Sequence, residues 1–138
     1  MKVLSKAQVE GLILDYEVLE RVGSSLGSGG IIVMDDTTCM VRALMHMVYF
    51  YHDASCGQCT PCREGTGWVC RLLEQIIQGN GSVEMVGKLR EVASKIEGRT
   101  ICAFGEAVSW PVTSFIDLFY EEFVYYAREG RSCTNSRS

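Results

Sequence analysis

Residues 55–65 read Ser-Cys-Gly-Gln-Cys-Thr-Pro-Cys-Arg-Glu-Gly, and this stretch decides which fold the chain can adopt. Cys56, Cys59 and Cys62 follow the spacing Cys-x2-Cys-x2-Cys within one loop. Three thiols so close together can hold three corners of a cubic iron–sulfur cluster, and Gly57 allows the tight backbone curve that this requires. A structural zinc site usually pairs one Cys-x2-Cys with a second, distant pair, which this sequence lacks. The loop therefore favours a cluster over a single zinc ion.

A [4Fe–4S] cluster takes a fourth thiolate. The remaining candidates are Cys39, Cys70, Cys102 and Cys133. Cys70 falls two turns into a predicted helix, and Cys133 falls in a polar tail. Cys102 lies in the loop Thr-Ile-Cys-Ala-Phe-Gly at residues 100–105. Two antiparallel helices separate this loop from the first three thiols, so the chain comes back to the end of the bundle where those thiols lie. We therefore predict Cys102 as the fourth ligand, with Cys39 as the alternative.

Apolar residues at helical spacing predict four helices around this loop. They begin after residues 36–38, at Arg63, after Ser82 and at Pro111. The second ends at the Gly-Asn-Gly run of residues 79–81, and the third ends at Gly98. A proline suits the first turn of the fourth helix, because its missing N–H would be unpaired there. The prediction is a mainly α fold, a small antiparallel helical bundle over residues 37–129 that carries the cluster.

The chain before this bundle has a different composition. A glycine-rich run at residues 23–30 leads into Ile31–Met34, whose β-branched side chains predict a short strand. Asp15–Val22 predicts a short helix, so residues 1–36 look like an α+β remnant too small to own a core. At the other end, residues 130–138 are polar and predict a flexible tail.

Composition excludes several classes of protein. The 138 residues are 47% hydrophobic and 22% charged, with a net charge of −4. Because no block of Lys or Arg is present, nucleic-acid binding is not expected. No apolar stretch approaches the ~20 residues that span a bilayer, and Met1–Leu14 lacks the apolar core of a secretory signal. Seven cysteines without secretion indicate metal or redox chemistry.

These motifs resemble the NADH-binding flavoprotein subunit of respiratory complex I and its relatives in NAD-reducing hydrogenases and formate dehydrogenases. The cysteine run of residues 55–65 is similar to one family motif. The run Ile-Cys-Ala-Phe-Gly-Glu-Ala-Val-Ser-Trp-Pro at 101–111 and the run Leu-Gly-Ser-Gly-Gly-Ile-Ile-Val-Met-Asp at 26–35 are similar to two others. One departure is Ala54, where the family usually has glutamate, with Asp53 one position earlier.

The resemblance implies an electron relay. In that family a flavin takes a hydride from NADH, and the [4Fe–4S] cluster accepts electrons from the flavin one at a time. The motif match implies that Cys56, Cys59, Cys62 and Cys102 are the ligands. Reduction adds negative charge, so Arg63 beside the ligands is expected to help hold the potential up. Residues 1–36 are similar to the end of a β-grasp-like domain.

Only the C-terminal third of such a protein is represented, so FMN and NADH are expected on a missing domain or a partner chain. The chain alone is not expected to oxidise NADH, and whether it is itself an enzyme stays open. Expected partners are a flavin- and NADH-binding chain and other iron–sulfur subunits. The expected place is the cytoplasm or mitochondrial matrix, peripheral to the inner membrane through a complex. Two alternatives stay open: a zinc-stabilised structural or docking module, and a diaphorase component of a soluble hydrogenase or formate dehydrogenase.

Overall fold

The computed structural model describes residues 4–134, and the chain divides into two compact units, Met1–Asp35 and Asp36–Ser138. All regular secondary structure among residues 4–134 is helical. The helices are α1 (Lys6–Glu10), α2 (Tyr16–Arg21), α3 (Met40–Ala54), α4 (Thr60–Ile77), α5 (Val83–Ile96) and α6 (Phe104–Glu129). The predicted mainly α fold is confirmed. None of these helices is long and apolar enough to cross a membrane.

The first unit contains α1 and α2 followed by irregular chain. Asp15 begins α2 because its Oδ1 accepts hydrogen bonds from the N–H groups of Glu17 and Val18, at 3.0 and 3.2 Å. The short helix predicted there is confirmed, but the predicted strand over Ile31–Met34 is wrong. A strand needs a neighbour for its backbone hydrogen bonds, and residues 4–134 offer no strand to pair with. The β-grasp-like origin of residues 1–36 stays a prediction.

In the second unit, α3–α6 form an antiparallel bundle. The ring of Tyr51, near the end of α3, meets the ring of Phe104 at the start of α6, with centroids 5.6 Å apart. The N–H of Met40, at the start of α3, donates to Oε1 of Glu122 near the end of α6, at 2.9 Å. The end of α3 thus meets the start of α6, and the start of α3 meets the end of α6, so the two helices are antiparallel. The predicted helical bundle is confirmed.

The core of the bundle lies between these four helices. Its largest fully buried side chains are Tyr126, Phe123, Leu44, Leu73, Ile76, Leu89, Ile96, Ile116, Val41, Val48, Val69 and Val86. Burying each aliphatic or aromatic side chain of this kind contributes about 1.5–3 kcal/mol before the entropy of ordering it is subtracted. Trp68 and Trp110 lie outside the core, 54% and 49% exposed.

The start of α6 differs from the prediction. The helix begins at Phe104, seven residues before the predicted start, and Pro111 lies inside it. A proline within a helix removes one backbone hydrogen bond, which is tolerated here because α6 packs against α3, α4 and α5. The irregular backbone falls instead at Phe119, where φ is −121° and ψ is 28°.

Candidate metal centre

Two loops lie at the same end of the bundle. Residues 55–59 join α3 to α4, and residues 97–103 join α5 to α6. A Cβ added to Gly65, early in α4, would lie 2.7 Å from Cγ1 of Ile96, the last residue of α5. Together with the ring contact between α3 and α6, this close packing brings the two loops together. The cysteine end, as we define it, comprises residues 55–62 and 97–103.

The first turn of α4 carries two of the predicted ligands. Cys59 precedes the helix with extended φ and ψ of −106° and 137°, and its carbonyl accepts the N–H of Arg63 at 3.0 Å. Pro61 occupies the first turn, where its missing N–H costs no hydrogen bond. Helix α4 therefore begins at Thr60, three residues before the predicted start. The N-terminus of α4 places its partial positive charge beside Cys59 and Cys62.

Gly57 and Arg63 fix the loop between α3 and α4. Gly57 has φ of +71°, a left-handed conformation that other residues adopt only with strain. Nη1 of Arg63 donates to the carbonyl oxygen of Gly57 at 3.0 Å, and its Nε donates to Oε1 of Glu64 at 3.0 Å. The structure thus places the predicted cation beside the cysteine loop, where it also binds the loop's backbone.

The four predicted ligands are free thiols with unequal exposure. Cys56 and Cys102 are exposed, Cys59 is half-buried and Cys62 is buried. Within residues 4–134, no three His, Cys, Asp or Glu side chains come close enough to hold one metal ion. A four-iron cluster binds each thiolate on a different iron, so its ligands stand wider apart than those of one ion. Four thiols at one end of the bundle are the donor set that such a cluster takes; the ligand assignment stays a prediction.

A set of short contacts fixes the loop that carries Cys102. The Thr100 hydroxyl donates to the carbonyl oxygen of Cys102 at 2.8 Å. The neighbouring Gly105 is buried, and a Cβ added there would lie 2.2 Å from Oγ1 of Thr100, so only glycine leaves room for this threonine. Oε1 of Glu106 accepts the N–H of Gly98 at 2.9 Å. These contacts attach the loop of residues 97–103 to the start of α6.

The other cysteines lie elsewhere. Cys39 immediately precedes α3, and the N–H of the next residue, Met40, donates to Glu122. Glu122 lies 18 residues, or ~27 Å, along α6 from Phe104 at its start. Cys39 is therefore at the opposite end of the bundle from the cysteine end. Cys133 is half-buried and follows the end of α6, away from the cysteine end. Cys70 is buried in the core, and burial raises the pKa of its thiol to about 11. A raised pKa makes the thiolate that a metal binds harder to form, so Cys70 is a poorer metal ligand than an ordinary cysteine.

Sequence reasoning missed two polar contacts, one within the cysteine end and one next to it. Oγ of Ser55 lies 3.3 Å from Sγ of Cys62. One turn earlier, Nδ1 of His52 lies 2.9 Å from Oγ1 of Thr66, a residue with no solvent exposure. The adjacency of Ser55 to a cysteine was the only signal in the sequence, and it does not indicate which sulfur the hydroxyl reaches.

A groove of about 660 Å³ opens between α4 and α5 and begins at Thr60 and Pro61, next to the cysteine loop. The half-exposed Trp68 lines this groove. Trp110, in the second turn of α6, donates from Nε1 to Oε1 of Glu97 at 2.8 Å. Both tryptophans thus lie in the half of the bundle nearest the cysteine end.

An antiparallel helical bundle with four cysteines gathered at one end has the architecture of a cysteine-ligated metal-binding domain. The sequence model that describes the NADH-ubiquinone oxidoreductase-F iron-sulfur binding region matches residues 42–126. The chain belongs to this family.

Relatives with curated names agree with this family. The chain is 44% identical over 116 residues to an NADH-quinone oxidoreductase subunit of Rhizobium meliloti (strain 1021), covering 84% of this chain and 27% of that protein. It is 45% identical over 120 residues to an NADH-quinone oxidoreductase subunit of Rickettsia bellii (strain OSU 85-389), covering 87% and 29%. For the protein of the same name in Rickettsia akari (strain Hartford), the identity is 47% over 109 residues, covering 79% and 26%. The chain therefore spans less than a third of the length of these relatives.

Proposed function

We propose that this chain transfers electrons through a [4Fe–4S] cluster as the iron–sulfur part of an NADH dehydrogenase. The ligands in this proposal are Cys56, Cys59, Cys62 and Cys102. When bound, the cluster supplies one-electron chemistry, so that a two-electron donor such as a reduced flavin can pass on its electrons singly.

One observation carries the proposal: the packing of α3 on α6 and of α4 on α5 brings two loops with unlike sequences to one end. The ring contact between Tyr51 and Phe104 and the contact between Gly65 and Ile96 produce this arrangement. Without them Cys102, 40 residues beyond Cys62, would be a distant cysteine. Thiolates are the ligands that iron–sulfur clusters take, and four of them complete the set.

The surroundings of the loop suit a site that gains negative charge on reduction. The N-terminus of α4 directs its partial positive charge towards Cys59 and Cys62. The guanidinium of Arg63 adds a full positive charge beside them, held by the carbonyl of Gly57. Positive charge and hydrogen bonds near a cluster favour its reduced form and raise its potential.

The remaining parts of the reaction are proposed to lie outside this chain. NADH and FMN would be bound by a further domain or a partner chain, and other iron–sulfur subunits would receive the electrons. Support comes from the relatives, which carry the name of a quinone-reducing enzyme and are more than three times as long as the matched segment. Association with such subunits would place the chain in the cytoplasm or mitochondrial matrix, at the periphery of the inner membrane.

Anaerobic purification of the full chain, followed by iron, sulfide and zinc analysis, tests the proposal. We expect a brown protein with about four irons and four sulfides per chain, as a [4Fe–4S] cluster requires. A colourless protein with one zinc per chain would contradict the relay and favour the zinc-stabilised docking module. Subunits that co-purify distinguish a quinone-reducing complex from the diaphorase of a soluble hydrogenase or formate dehydrogenase.

A further inference from the structure

The hydroxyl of Ser55 lies between a backbone amide and a predicted ligand. Its Oγ is 3.3 Å from the backbone N of Gly57 and 3.3 Å from Sγ of Cys62. One oxygen atom therefore connects the turn after Cys56 to the first turn of α4.

When Cys62 binds a metal, the chemistry of the three groups fixes the direction of both hydrogen bonds. A backbone N–H can only donate, so the oxygen of Ser55 accepts from Gly57. The hydroxyl proton is then left to point at Cys62. A thiolate that binds a metal has no proton of its own, so its sulfur can only accept. The order is Gly57 N–H to Ser55 O–H to Cys62 sulfur.

The surrounding backbone holds this arrangement in place. Ser55 ends α3, and its N–H donates to the carbonyl of His52 at 3.3 Å. Gly57 adopts its left-handed turn, which presents its amide to Ser55, while its carbonyl is bound by Arg63. The hydrogen bonds to His52 and Gly57 therefore hold Ser55 in place, and its hydroxyl loses little entropy when it binds the sulfur.

The burial of Cys62 makes the hydrogen bond from Ser55 important. Cys62 is only 6% exposed, whereas Cys56 and Cys102 are exposed to water. Water can donate to the exposed sulfurs, but it has little access to Cys62. A hydrogen bond to a charged acceptor is stronger than one between neutral groups, and low local dielectric strengthens it further. The serine supplies the donor that water cannot.

We propose that Ser55 is a positioning residue of the metal centre, whose hydroxyl donates a hydrogen bond to the sulfur of Cys62 and thereby raises the reduction potential of the bound cluster. This inference rests on the proposed function, because it assumes that Cys62 binds the cluster. The hydrogen bond stabilises negative charge on the sulfur, and the reduced state carries more of that charge than the oxidised state.

The test compares the full chain with three variants, Ser55→Ala, Ser55→Thr and Ser94→Ala, each purified anaerobically. Ser55→Ala removes the hydroxyl, and Ser55→Thr keeps it. Ser94 is a matched control, since its exposed hydroxyl binds the carbonyl of Glu91 on α5. Iron and sulfide per chain are measured first, and the midpoint potential is then measured by EPR-monitored redox titration.

We expect Ser55→Ala to bind iron with a midpoint potential lower than that of the parent, while Ser55→Thr and Ser94→Ala keep the parent value. If Ser55→Ala loses its iron, the proposal requires Ser55→Thr to retain it, since the threonine keeps the hydroxyl. An unchanged potential in an iron-loaded Ser55→Ala variant would overturn the role of the hydroxyl. So would loss of iron in both Ser55 variants, which indicates that size matters at this position and not hydrogen bonding. A parent chain without iron overturns the proposed function instead, so the two failures are distinguishable.

Discussion

Tyr51 and Phe104 meet edge to face, with ring centroids 5.6 Å apart and ring planes inclined at 79°. Tyr51 lies one turn before the cysteine loop, and Phe104 lies two residues after Cys102. This contact therefore ties together the two segments that contribute the predicted ligands. A pair of rings in this geometry contributes about 0.5–1.5 kcal/mol beyond the apolar area that it buries.

Replacing Tyr51 by leucine is expected to lower the free energy of unfolding by about 0.5–1.5 kcal/mol, because the side chain stays apolar but the ring contact is lost. Urea unfolding followed by circular dichroism measures this change. Tyr120→Leu, at a position that is 44% exposed on α6, is the control and should change stability less. Equal losses in the two variants would show that the ring contact adds nothing.

Cys102→Ser is expected to reduce the iron content of the anaerobically purified chain, because it removes one of the four proposed thiolate ligands. Cys39→Ser is the matched control, since Cys39 precedes α3 at the opposite end of the bundle from the cysteine end. It should leave iron and sulfide per chain unchanged. The same loss of iron in both variants would contradict the ligand assignment.

Arg63→Gln is expected to lower the midpoint potential of the proposed cluster, because it removes a positive charge beside the proposed ligands and releases the Gly57 carbonyl. EPR-monitored redox titration measures the shift. Arg90→Gln is a suitable control, since it also removes a positive charge, and the partner of Arg90 is Asp117 on α6. The prediction is wrong if Arg63→Gln binds iron and keeps the parent potential.

Gly105→Ala is expected to destabilise the fold by about 1–3 kcal/mol, because the added methyl group collides with Thr100 and displaces the hydrogen bond to Cys102. Gly87→Ala is the opposite case. Gly87 lies on α5 with no atom within 4 Å of an added Cβ, so alanine should stabilise that helix by up to about 1 kcal/mol. Unfolding in urea should therefore give opposite signs for the two glycines.

Stability should fall at alkaline pH through Cys70. Burial raises the pKa of its thiol from the ordinary 9.0 to about 11. Between these values the unfolded chain releases a proton that the folded chain keeps, so the stabilisation is full below pH 9 and is lost as pH rises towards 11. One thiol shifted this far contributes at most about 3 kcal/mol.

Cys70→Ala removes this titration and should flatten the dependence of unfolding free energy on pH over that interval. The other titrating groups are common to both proteins. One of them is Tyr49, whose pKa is raised to about 12 by its hydrogen bond to Glu74. Parallel curves for the parent and the variant would assign the alkaline loss to those groups.

The helical bundle was predictable because its signals are local. Asp15 caps α2, Gly79 ends α4 and Ser82 precedes α5, and each is a residue whose side chain or backbone freedom favours that position. Pro111 misled the prediction, since a proline that suits a first turn is also tolerated within a helix packed against three others. Local sequence cannot distinguish these two cases.

The strand over Ile31–Met34 failed for a related reason. Its β-branched residues have the composition of a strand, but a strand forms only where a neighbour accepts its hydrogen bonds. The candidate site divides similarly. Spacing alone pointed to Cys56, Cys59 and Cys62, whereas the contact of Ser55 with Cys62 depends on the backbone turn at Gly57, which only the folded chain defines.

Trp68 and Trp110 have a practical consequence, since both are about half exposed and lie in the half of the bundle nearest the cysteine end. Indole side chains in contact with water fluoresce at long wavelengths, and a group bound nearby that absorbs visible light quenches this fluorescence by energy transfer. The chain consequently carries its own optical reporter at two positions. Its fluorescence should dim as iron enters the cysteine end and brighten as iron leaves, without any added label.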